Sequence, residues 1–500
     1  LAGAGWVQRD AAGWRPVSAA LGAEVREAAD PERLRRLHRR ARTVEPDESR
    51  RLLHAVEHGD FEAVRGRVLE VAGELERLGA LEAAVELLFA ARPALGDELL
   101  AGRVDLALGR LLAARGELER ARRHLEPLER ARSAEIRRSA LFSLGRIHSL
   151  RGELEAAAGR LEAALALPGE PGGTAQALRE KANVELNQGD GDRATRTAEE
   201  GLHIAPARHP VRAGLLTVLG KAACLAGSHR EALDRCEEAV EAARASRDRR
   251  AEALAIAMLS WVRQQSGDLS GAVRDLELAC RLNREIGDLP RLARGQLVLG
   301  DLEWWLERWH EALGHYEEAM RLAAAVGNPV QRVESSIGLG QALVKVGRFE
   351  RAALVLADAR EAASRRELAE LELRARVFEG DLAAAQGHHA RALELWDAAR
   401  DGLAALGRSA VAAELDLEMA QVRLWRRGSG DVDGAAALIE VAAGRPREDR
   451  GRRFEDHLEL ARAALALARD DLEAGIVALD HLAERLAGEG GRDLLWQVHL

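Results

Sequence analysis

Few residues of this sequence have the type and spacing that catalytic or metal chemistry requires. Histidines occur as a pair, His388 and His389, and as a loose group, His229, His310 and His315; imidazole is a common ligand for zinc and related metals. His389 stands at the position that Leu118, Leu154, Leu269 and Phe349 occupy in other parts of the chain, so we expect it to pack rather than to bind metal. The histidines therefore indicate neither a metal site nor a cofactor.

The cysteines and the known catalytic motifs point the same way. Cys224, Cys236 and Cys280 form no CxxC pair and are too few for a disulfide framework. We expect Cys236 in the core and Cys224 at the surface, neither of them beside a base that would activate the thiol. The sequence contains no GxxxxGK[ST], HExxH or GxSxG motif. It predicts a protein that is not an enzyme, and a catalytic site hidden in a groove is the enzymatic alternative.

Tryptophan offers recognition instead of catalysis. The chain has nine tryptophans, and three of them, Trp304, Trp305 and Trp309, fall within six positions of "LGDLEWWLERWHEALGHYEEAM" (299–320). Tryptophan is enriched at the centres of binding interfaces, but it is also a common core residue. Which role applies depends on the elements that carry these side chains.

Composition predicts that these elements are helices. Hydrophobic residues make up 47% of the chain, charged residues 31% and aromatic residues 3%, and the abundant Ala, Leu, Arg and Glu are good helix formers. No apolar run approaches the roughly 18 residues that a membrane span needs. A net charge of −9 argues against a nucleic-acid partner. We expect a cytoplasmic location, and we expect a piece of a longer protein because the chain begins at Leu1.

A small residue recurs every 36 to 41 positions and is called the anchor here. The anchors are Ala72, Gly109, Gly145, Ala182, Gly220, Ser260, Gly300, Gly340, Gly380, Ala420 and Ala461. In the first nine repeats, position +7 is glycine except at Glu307, position +12 is always alanine, and position +16 is often large. Small residues at this spacing, with a glycine between them, predict two antiparallel helices in close contact. Such hairpins bury their apolar faces only by stacking into a solenoid.

Two segments resemble a known repeat family. "LGRLLAARGELERARRHLEPL" (108–128) and "LGQALVKVGRFERAALVLADA" (339–359) resemble the tetratricopeptide repeat. The resemblance covers residues 64–486 and implies an all-α, right-handed superhelical solenoid of about eleven hairpins. The units are longer than those usual in the family. In this length they resemble the repeats in the sensor arms of STAND-class signalling ATPases, which include ATPase-linked serine/threonine kinases and the maltose-regulon activator. The repeat is atypical after Gln421, where "RRGSGDVDG" adds three residues before Ala435.

The first 45 residues do not follow the repeat. "GWVQRDAAGWRPVS" (5–18) predicts a short β-hairpin, and "DPERLRRLHRRART" (30–43) predicts a capped, arginine-rich helix. The run "LRRLHRRA" (34–41) resembles the end of the winged-helix module that precedes the repeat arm in STAND proteins. We assign residues 1–45 to such a module and 46–500 to the solenoid. A basic capping helix is the alternative.

Helical periodicity predicts a binding face on the first helix of each hairpin. Positions −4, −1, 0 and +3 from the anchor face the neighbouring helix, whereas −6, −3, +1, +4 and +5 form a second face, called the stripe. The stripe resembles the face that lines the concave groove in the repeat family. It is basic in the early repeats, carries tryptophans in the middle and becomes mixed in charge further on. The predicted binding residues are Arg103, Arg110, Arg146, Arg179, Asn183, Asn187, Lys221, Trp261, Trp304 and Trp305. Trp309, at position +9, is predicted to be core.

These patterns predict a sensor arm of a larger signal-transduction protein. Its concave groove would bind an acidic peptide or protein segment, or a small effector, and changes in curvature would pass to the preceding module. A passive assembly scaffold is the alternative function. For the site, the alternative is that the arginines only solvate the surface and the tryptophans pack on a neighbouring helix.

Overall fold

The computed structural model describes residues 7–10, 13–16, 31–45, 47–58, 60–77, 80–444 and 452–489. These residues form 24 α-helices and one two-stranded β-sheet. The helices, α1 to α24 in chain order, span Pro31–Val44, Glu48–His58, Phe61–Arg77, Leu81–Ala91, Glu98–Ala114, Leu118–Leu125, Ala134–Leu150, Leu154–Leu165, Pro171–Asn187, Gly191–Ile204, Val211–Leu225, His229–Ser246, Arg249–Gln265, Leu269–Glu285, Leu289–Trp305, Trp309–Ala325, Pro329–Lys345, Phe349–Ser364, Ala369–Ala385, His389–Ala405, Ser409–Arg426, Asp431–Ala443, Arg452–Ala468 and Leu472–Glu489. None of the described helices combines the length and apolarity that crossing a membrane requires.

The predicted β-hairpin and basic helix are both present near the start of the chain. Strands β1 (Val7–Asp10) and β2 (Gly13–Pro16) pair antiparallel. Helix α1 packs against α2, and His38 Nδ1 lies 2.9 Å from His54 Nδ1 between them. The assignment of residues 1–45 to a winged-helix module stays a prediction.

The chain divides into two compact units, residues 1–228 and 229–500. The first unit contains the hairpins α3/α4, α5/α6, α7/α8 and α9/α10, followed by α11. The second begins with α12 and continues with the six hairpins α13/α14 to α23/α24. Within each unit every hairpin packs on the next, so the predicted all-α solenoid of tetratricopeptide-like hairpins is confirmed.

The two helices of each hairpin contact each other at the anchor, where the side chain is small or absent. A β-carbon added at Gly109 would lie 2.4 Å from Leu125 Cγ, so the leucine at +16 rests directly on the backbone of α5. Where the anchor is Ser260, its hydroxyl donates to the carbonyl oxygen of Ala272 at 2.7 Å. The +12 alanines are fully buried: Ala84, Ala121, Ala157, Ala194, Ala232, Ala272, Ala312, Ala352 and Ala392. The repeat spacing thus reflects backbone contact between paired helices.

The turn inside each hairpin needs a left-handed residue. Among the described turns, position +7 is a glycine with φ between 73° and 87° at Gly116, Gly152, Gly189, Gly227, Gly267, Gly347 and Gly387. Glu307 takes the same place with φ 60°, a conformation that costs an L-residue about 1 kcal/mol.

The expectation that Cys224 lies at the surface is wrong. Its residue is only 6% exposed, because α11 contacts both α9 and α10 and is covered on two sides. Cys236 and Cys280 are also buried. Burial raises the pKa of Cys224, and it raises the pKa of Cys280 to about 11. These two thiols therefore stay protonated and unreactive near neutral pH.

Candidate binding groove

The predicted basic residues lie on helices α5, α7, α9 and α11 of the first unit, and three of them already have a carboxylate partner. Arg110 Nη2 lies 3.0 Å from Glu76 Oε2 on α3. Arg103 Nη2 lies 3.6 Å from Glu135 Oε2 on α7, and Arg179 forms an ion pair with the residue that follows it. The stripe of these repeats carries no carboxylate, but carboxylates beside it offset its charge.

The predicted amides and lysine differ in accessibility. Asn183 Nδ2 donates to the backbone carbonyl oxygen of Arg179 at 3.1 Å, within α9. Asn187 and Arg146 are exposed, and Lys221 on α11 is half-buried. Arg146 and Asn187 are therefore accessible, whereas Asn183 is held by an internal hydrogen bond.

A groove of about 770 Å³ opens in the second unit along α15, α17, α19, α21 and α23. Its lining consists of Trp304, Trp305, Glu307, Trp309, Gln341, Val344, Lys345, Val377, Phe378, Asp381, Ala384, Ala385, Trp396, Val411, Glu414, Leu415, Leu417, Glu418, Gln421, Val422, Trp425, Phe454 and His457. Thirteen of these residues stand at stripe positions. In this unit the stripe therefore lines a real concave surface.

Two of the three predicted tryptophans line the groove. Trp304 and Trp305 form an edge-to-face pair with ring centroids 5.4 Å apart. Trp304 is half-buried against the core between α15 and α18, whereas Trp305 is 47% exposed. Trp425, at the equivalent +5 position of α21, is 58% exposed and lines the same groove. Trp261, on α13, is half-buried and is not part of this lining.

The prediction that Trp309 is core is wrong. This residue is half-buried and lines the groove. It is the first residue of α16 and comes two positions after Glu307 in the turn. At that place its side chain reaches the groove beside the end of α15, outside the interior of the hairpin.

Two carboxylates on the stripe are held by aromatic donors from the second helix of the same hairpin. Trp396 Nε1 donates to Asp381 Oδ1 at 3.0 Å, and Tyr316 Oη donates to Asp301 Oδ1 at 2.8 Å. In both cases the aspartate follows an anchor glycine and the aromatic ring rests on that glycine. Elsewhere in the first nine repeats, position +16 is not aromatic and position +1 is not aspartate. This pairing of +1 and +16 was a sequence signal that could have identified Asp381 as a groove residue.

The groove carries more carboxylates than cations. The acidic residues of the lining are Glu307, Asp381, Glu414 and Glu418, and Lys345 is the cationic one. His457 Nδ1 lies 3.9 Å from Glu418 Oε1. Burial, reinforced by the nearby Glu418 carboxylate, raises the pKa of Asp381 to about 7, although the Trp396 N–H and the Lys345 ammonium act in the opposite direction.

Several groove residues were outside the predicted site. Phe378 and Glu418 stand at position −2, and Phe454 and His457 come from α23, beyond the regular part of the repeat. Position −2 is adjacent to the stripe, and the spacing alone does not show that it turns toward the groove here.

Two of the histidines considered as metal ligands, His315 and His389, are half-buried. His315 Nδ1 lies 2.7 Å from Gln296 Oε1, and burial lowers the pKa of this imidazole. His389 is half-buried at the start of α20. Within the part of the chain that the structure describes, no three His, Cys, Asp or Glu side chains are grouped to hold a metal ion.

A family model for the tetratricopeptide repeat matches residues 291–365. This segment runs from the first turn of α15 to the end of α18 and contains Trp304, Trp305 and Lys345. The model describes a helical repeat and no catalytic family. The fold and this match together define an all-α solenoid of the tetratricopeptide type.

Three solved structures are similar to this chain at low sequence identity. A Signal Transduction ATPase with Numerous Domains (STAND) protein with a tetratricopeptide repeat sensor, from Pyrococcus horikoshii, is 14% identical, with a TM-score of 0.51; the match covers 82% of this chain and 72% of that one. Aspartyl phosphate phosphatase F from Bacillus subtilis is 12% identical over 76% of this chain and 93% of its own, with a TM-score of 0.45. A Rap protein complexed with Competence and Sporulation Factor is 14% identical over 67% of this chain and 99% of its own, with a TM-score of 0.42. No curated protein sequence matches the chain.

Proposed function

We propose that this chain is a binding arm of a larger signal-transduction protein and that the groove of the second unit is its binding surface for a protein segment. The observation that carries the proposal is the half-exposed indole surface of Trp305 and Trp425 inside one groove. Indole left in water loses the stabilisation that burial provides, and a partner that covers it recovers that free energy. Tryptophan is accordingly among the residues that contribute most to binding interfaces.

A sensing role is supported by the solenoid architecture. In the Pyrococcus protein a tetratricopeptide repeat region of similar fold is a sensor attached to a signal transduction ATPase. We propose the same relation here, with an ATPase-linked kinase or a transcription regulator as the parent protein and a cytoplasmic location. Because each repeat contacts its neighbours, a ligand that favours one curvature biases the adjoining repeats.

The exposed stripe residues of the first unit support a separate proposal. Arg146 and Asn187 are exposed on its stripe and could contact an acidic segment, as the sequence predicts. The pairing of Arg103 and Arg110 with Glu135 and Glu76 reduces the charge available for that contact.

Site-specific photo-cross-linking tests the groove. Benzoylphenylalanine in place of Trp305 should cross-link one contiguous segment of a partner protein, whereas the same group in place of Leu354, which is 69% exposed on α18 outside the groove, should not. A synthetic peptide of that segment should then bind the purified chain. Binding should be lost in Trp305→Ala/Trp425→Ala and kept in Leu354→Ala. Equal cross-linking from both positions would contradict the proposal.

A passive scaffold is the alternative, and hydrogen exchange distinguishes it from a sensor. A sensor should change amide protection in hairpins that do not touch the bound peptide, because its curvature shifts. A scaffold should gain protection only in the helices that line the groove.

A further inference from the structure

We infer that the groove of the second unit selects a peptide segment that inserts an arginine or lysine side chain between its indoles and its carboxylates. This inference rests on the proposed function, since it names the chemistry of the partner for the same groove. The predicted partner chemistry is the opposite of the acidic segment expected for the first unit.

The charge of the lining points to a cationic partner. Four carboxylates, of Glu307, Asp381, Glu414 and Glu418, face one ammonium, of Lys345. Glu307 and Glu414 form no ion pair with any described residue. On the outer helices of the same unit, by contrast, arginines occupy many carboxylates, as in the pair Arg351–Glu317 at 2.5 Å. The groove therefore keeps acidic groups that do not pair with an arginine of the described residues.

The aromatic surface suits the same partner. An indole face carries the negative part of the ring quadrupole and attracts a cation placed over it, and tryptophan does this best. Trp305 and Trp425 expose about half of their surface to the groove that holds these carboxylates. An arginine guanidinium can stack on an indole and bind a carboxylate with the edge of the same plane. Arginine is thus the side chain that both features favour most.

Asp381 connects the binding of a cation to pH. Burial and the Glu418 carboxylate raise the pKa of Asp381 to about 7. A bound guanidinium nearby would favour the ionised carboxylate and lower this pKa again. Binding should therefore strengthen as the pH rises from 6 to 8.

Glu307 adds a feature of the backbone. Its φ of 60° occurs where the other described turns of the first nine repeats have glycine. A strained residue that persists at the rim of a groove is a common feature of ligand-binding sites. Here the strain places a carboxylate, which glycine lacks, beside Trp305 and Trp309 in the lining.

The extent of the groove favours a peptide over a small organic cation. Five first helices contribute to the lining, from α15 to α23. Four steps of about 10 Å between neighbouring helix axes give about 40 Å, the length of about twelve extended residues. A single small cation would fill a minor part of that length.

Binding of defined peptide mixtures to the full chain tests the inference. Three fluorescein-labelled mixtures of peptides of about twelve residues carry the same randomised Ala, Leu, Ser and Val flanks, and differ in a central arginine, glutamine or glutamate. Fluorescence anisotropy should show the arginine mixture bound about tenfold more tightly than the glutamine mixture, and the glutamate mixture bound least.

Charge variants of the groove provide effects of both signs. Glu414→Gln/Glu418→Gln should weaken the binding of the arginine mixture about fivefold and leave the binding of the glutamine mixture unchanged. Lys345→Gln should tighten the binding of the arginine mixture about threefold. Damage to the fold would not produce this effect. The matched control is Glu350→Gln/Asp358→Asn, two exposed carboxylates on α18 outside the groove, which should change neither mixture.

The outcomes separate this inference from the proposed function. Equal affinity for the arginine and glutamate mixtures, or weakening by Lys345→Gln, would overturn the choice of a cationic partner while the groove remains a peptide site. Binding of none of the three mixtures would overturn both proposals.

Discussion

At the scale of single residues, the fold partly removes two stripe carboxylates from water, and one of them, Asp381, lines the groove. Asp301 and Asp381 each follow an anchor glycine, and burial raises the pKa of both. Their hydrogen-bond donors, Tyr316 and Trp396, are neutral and supply no compensating charge. These aspartates are therefore oriented by the protein but not neutralised by those donors.

The raised pKa of Asp381 predicts a pH-dependent stability. Because its folded-state pKa of about 7 exceeds its ordinary value of 3.8, the native state holds more protons between these values, and stability falls as the pH rises through that window. Asp381→Asn should remove a slope of up to about 1.4 kcal/mol per pH unit. Urea unfolding at pH 5 to 8 measures this, with the exposed Asp358→Asn as control. Equal slopes of unfolding free energy against pH for the unsubstituted chain and Asp381→Asn would contradict the burial of a protonated carboxyl.

The strained turn at Glu307 predicts separate effects on stability and binding. Glu307→Gly should raise the free energy of unfolding by about 0.5–1 kcal/mol, since glycine adopts a positive φ without strain. Glu367→Gly is the matched control, because Glu367 has φ 57° in a turn outside the groove. Both variants should be more stable than the unsubstituted chain in denaturant titrations. Only Glu307→Gly should bind the arginine peptides more weakly. Unchanged peptide binding by Glu307→Gly would show that its carboxylate plays no part.

At the scale of elements, each hairpin is held by a large side chain seated on a bare stretch of helix. Tyr316 shows this most clearly, because added β-carbons at Gly300 and Gly338 would both lie within 2.6 Å of its ring. The tyrosine thus packs against its own partner helix and against the next first helix. The packing of the Tyr316 ring on Gly300 also directs its hydroxyl group to Asp301.

The anchor contact predicts that a single methyl group is destabilising. Gly340→Ala would place a β-carbon 2.4 Å from Leu356 Cδ2, so we expect a loss of about 1–3 kcal/mol from overpacking. Gly314→Ala, on the exposed face of α16 with no neighbouring atom within 4 Å, should instead stabilise the helix by about 0.5–1 kcal/mol. Thermal or urea unfolding of the two variants measures the contrast. A Gly340→Ala protein as stable as the parent would show that the contact relaxes freely.

At the scale of the whole molecule, stability should be a sum of neighbouring contacts. Helices pack mainly on the helices one or two places away in the chain, as in other repeat proteins. Damage to one hairpin should therefore remain local.

Additivity tests this description. Gly109→Ala in the first unit and Gly340→Ala in the second both introduce a clash with the leucine at +16. The double variant should lose the sum of the two single losses within about 0.5 kcal/mol. Hydrogen exchange should increase around α5 and α6 for the first change and around α17 and α18 for the second. Loss of protection across both units from either change would refute local stability.

The sequence alone determined the repeat, its hairpins and the face on which the groove lies. This was possible because close contact of two helix backbones demands small residues at fixed spacings, and the helical period converts those spacings into faces. The helical period placed Trp304 and Trp305 on the stripe, and stripe residues supply most of the groove lining.

Only the tertiary structure decided which charges remain available and which side chains share a groove. Arg103 and Arg110 meet carboxylates more than 30 residues away on neighbouring helices, and the groove gathers residues from Trp304 to His457. Such contacts depend on the stacking of successive hairpins and on the orientation of the long side chains. The sequence period contains no information about the stacking or about these orientations. For this reason the acidic, aromatic character of the groove emerged only when the helices were placed side by side.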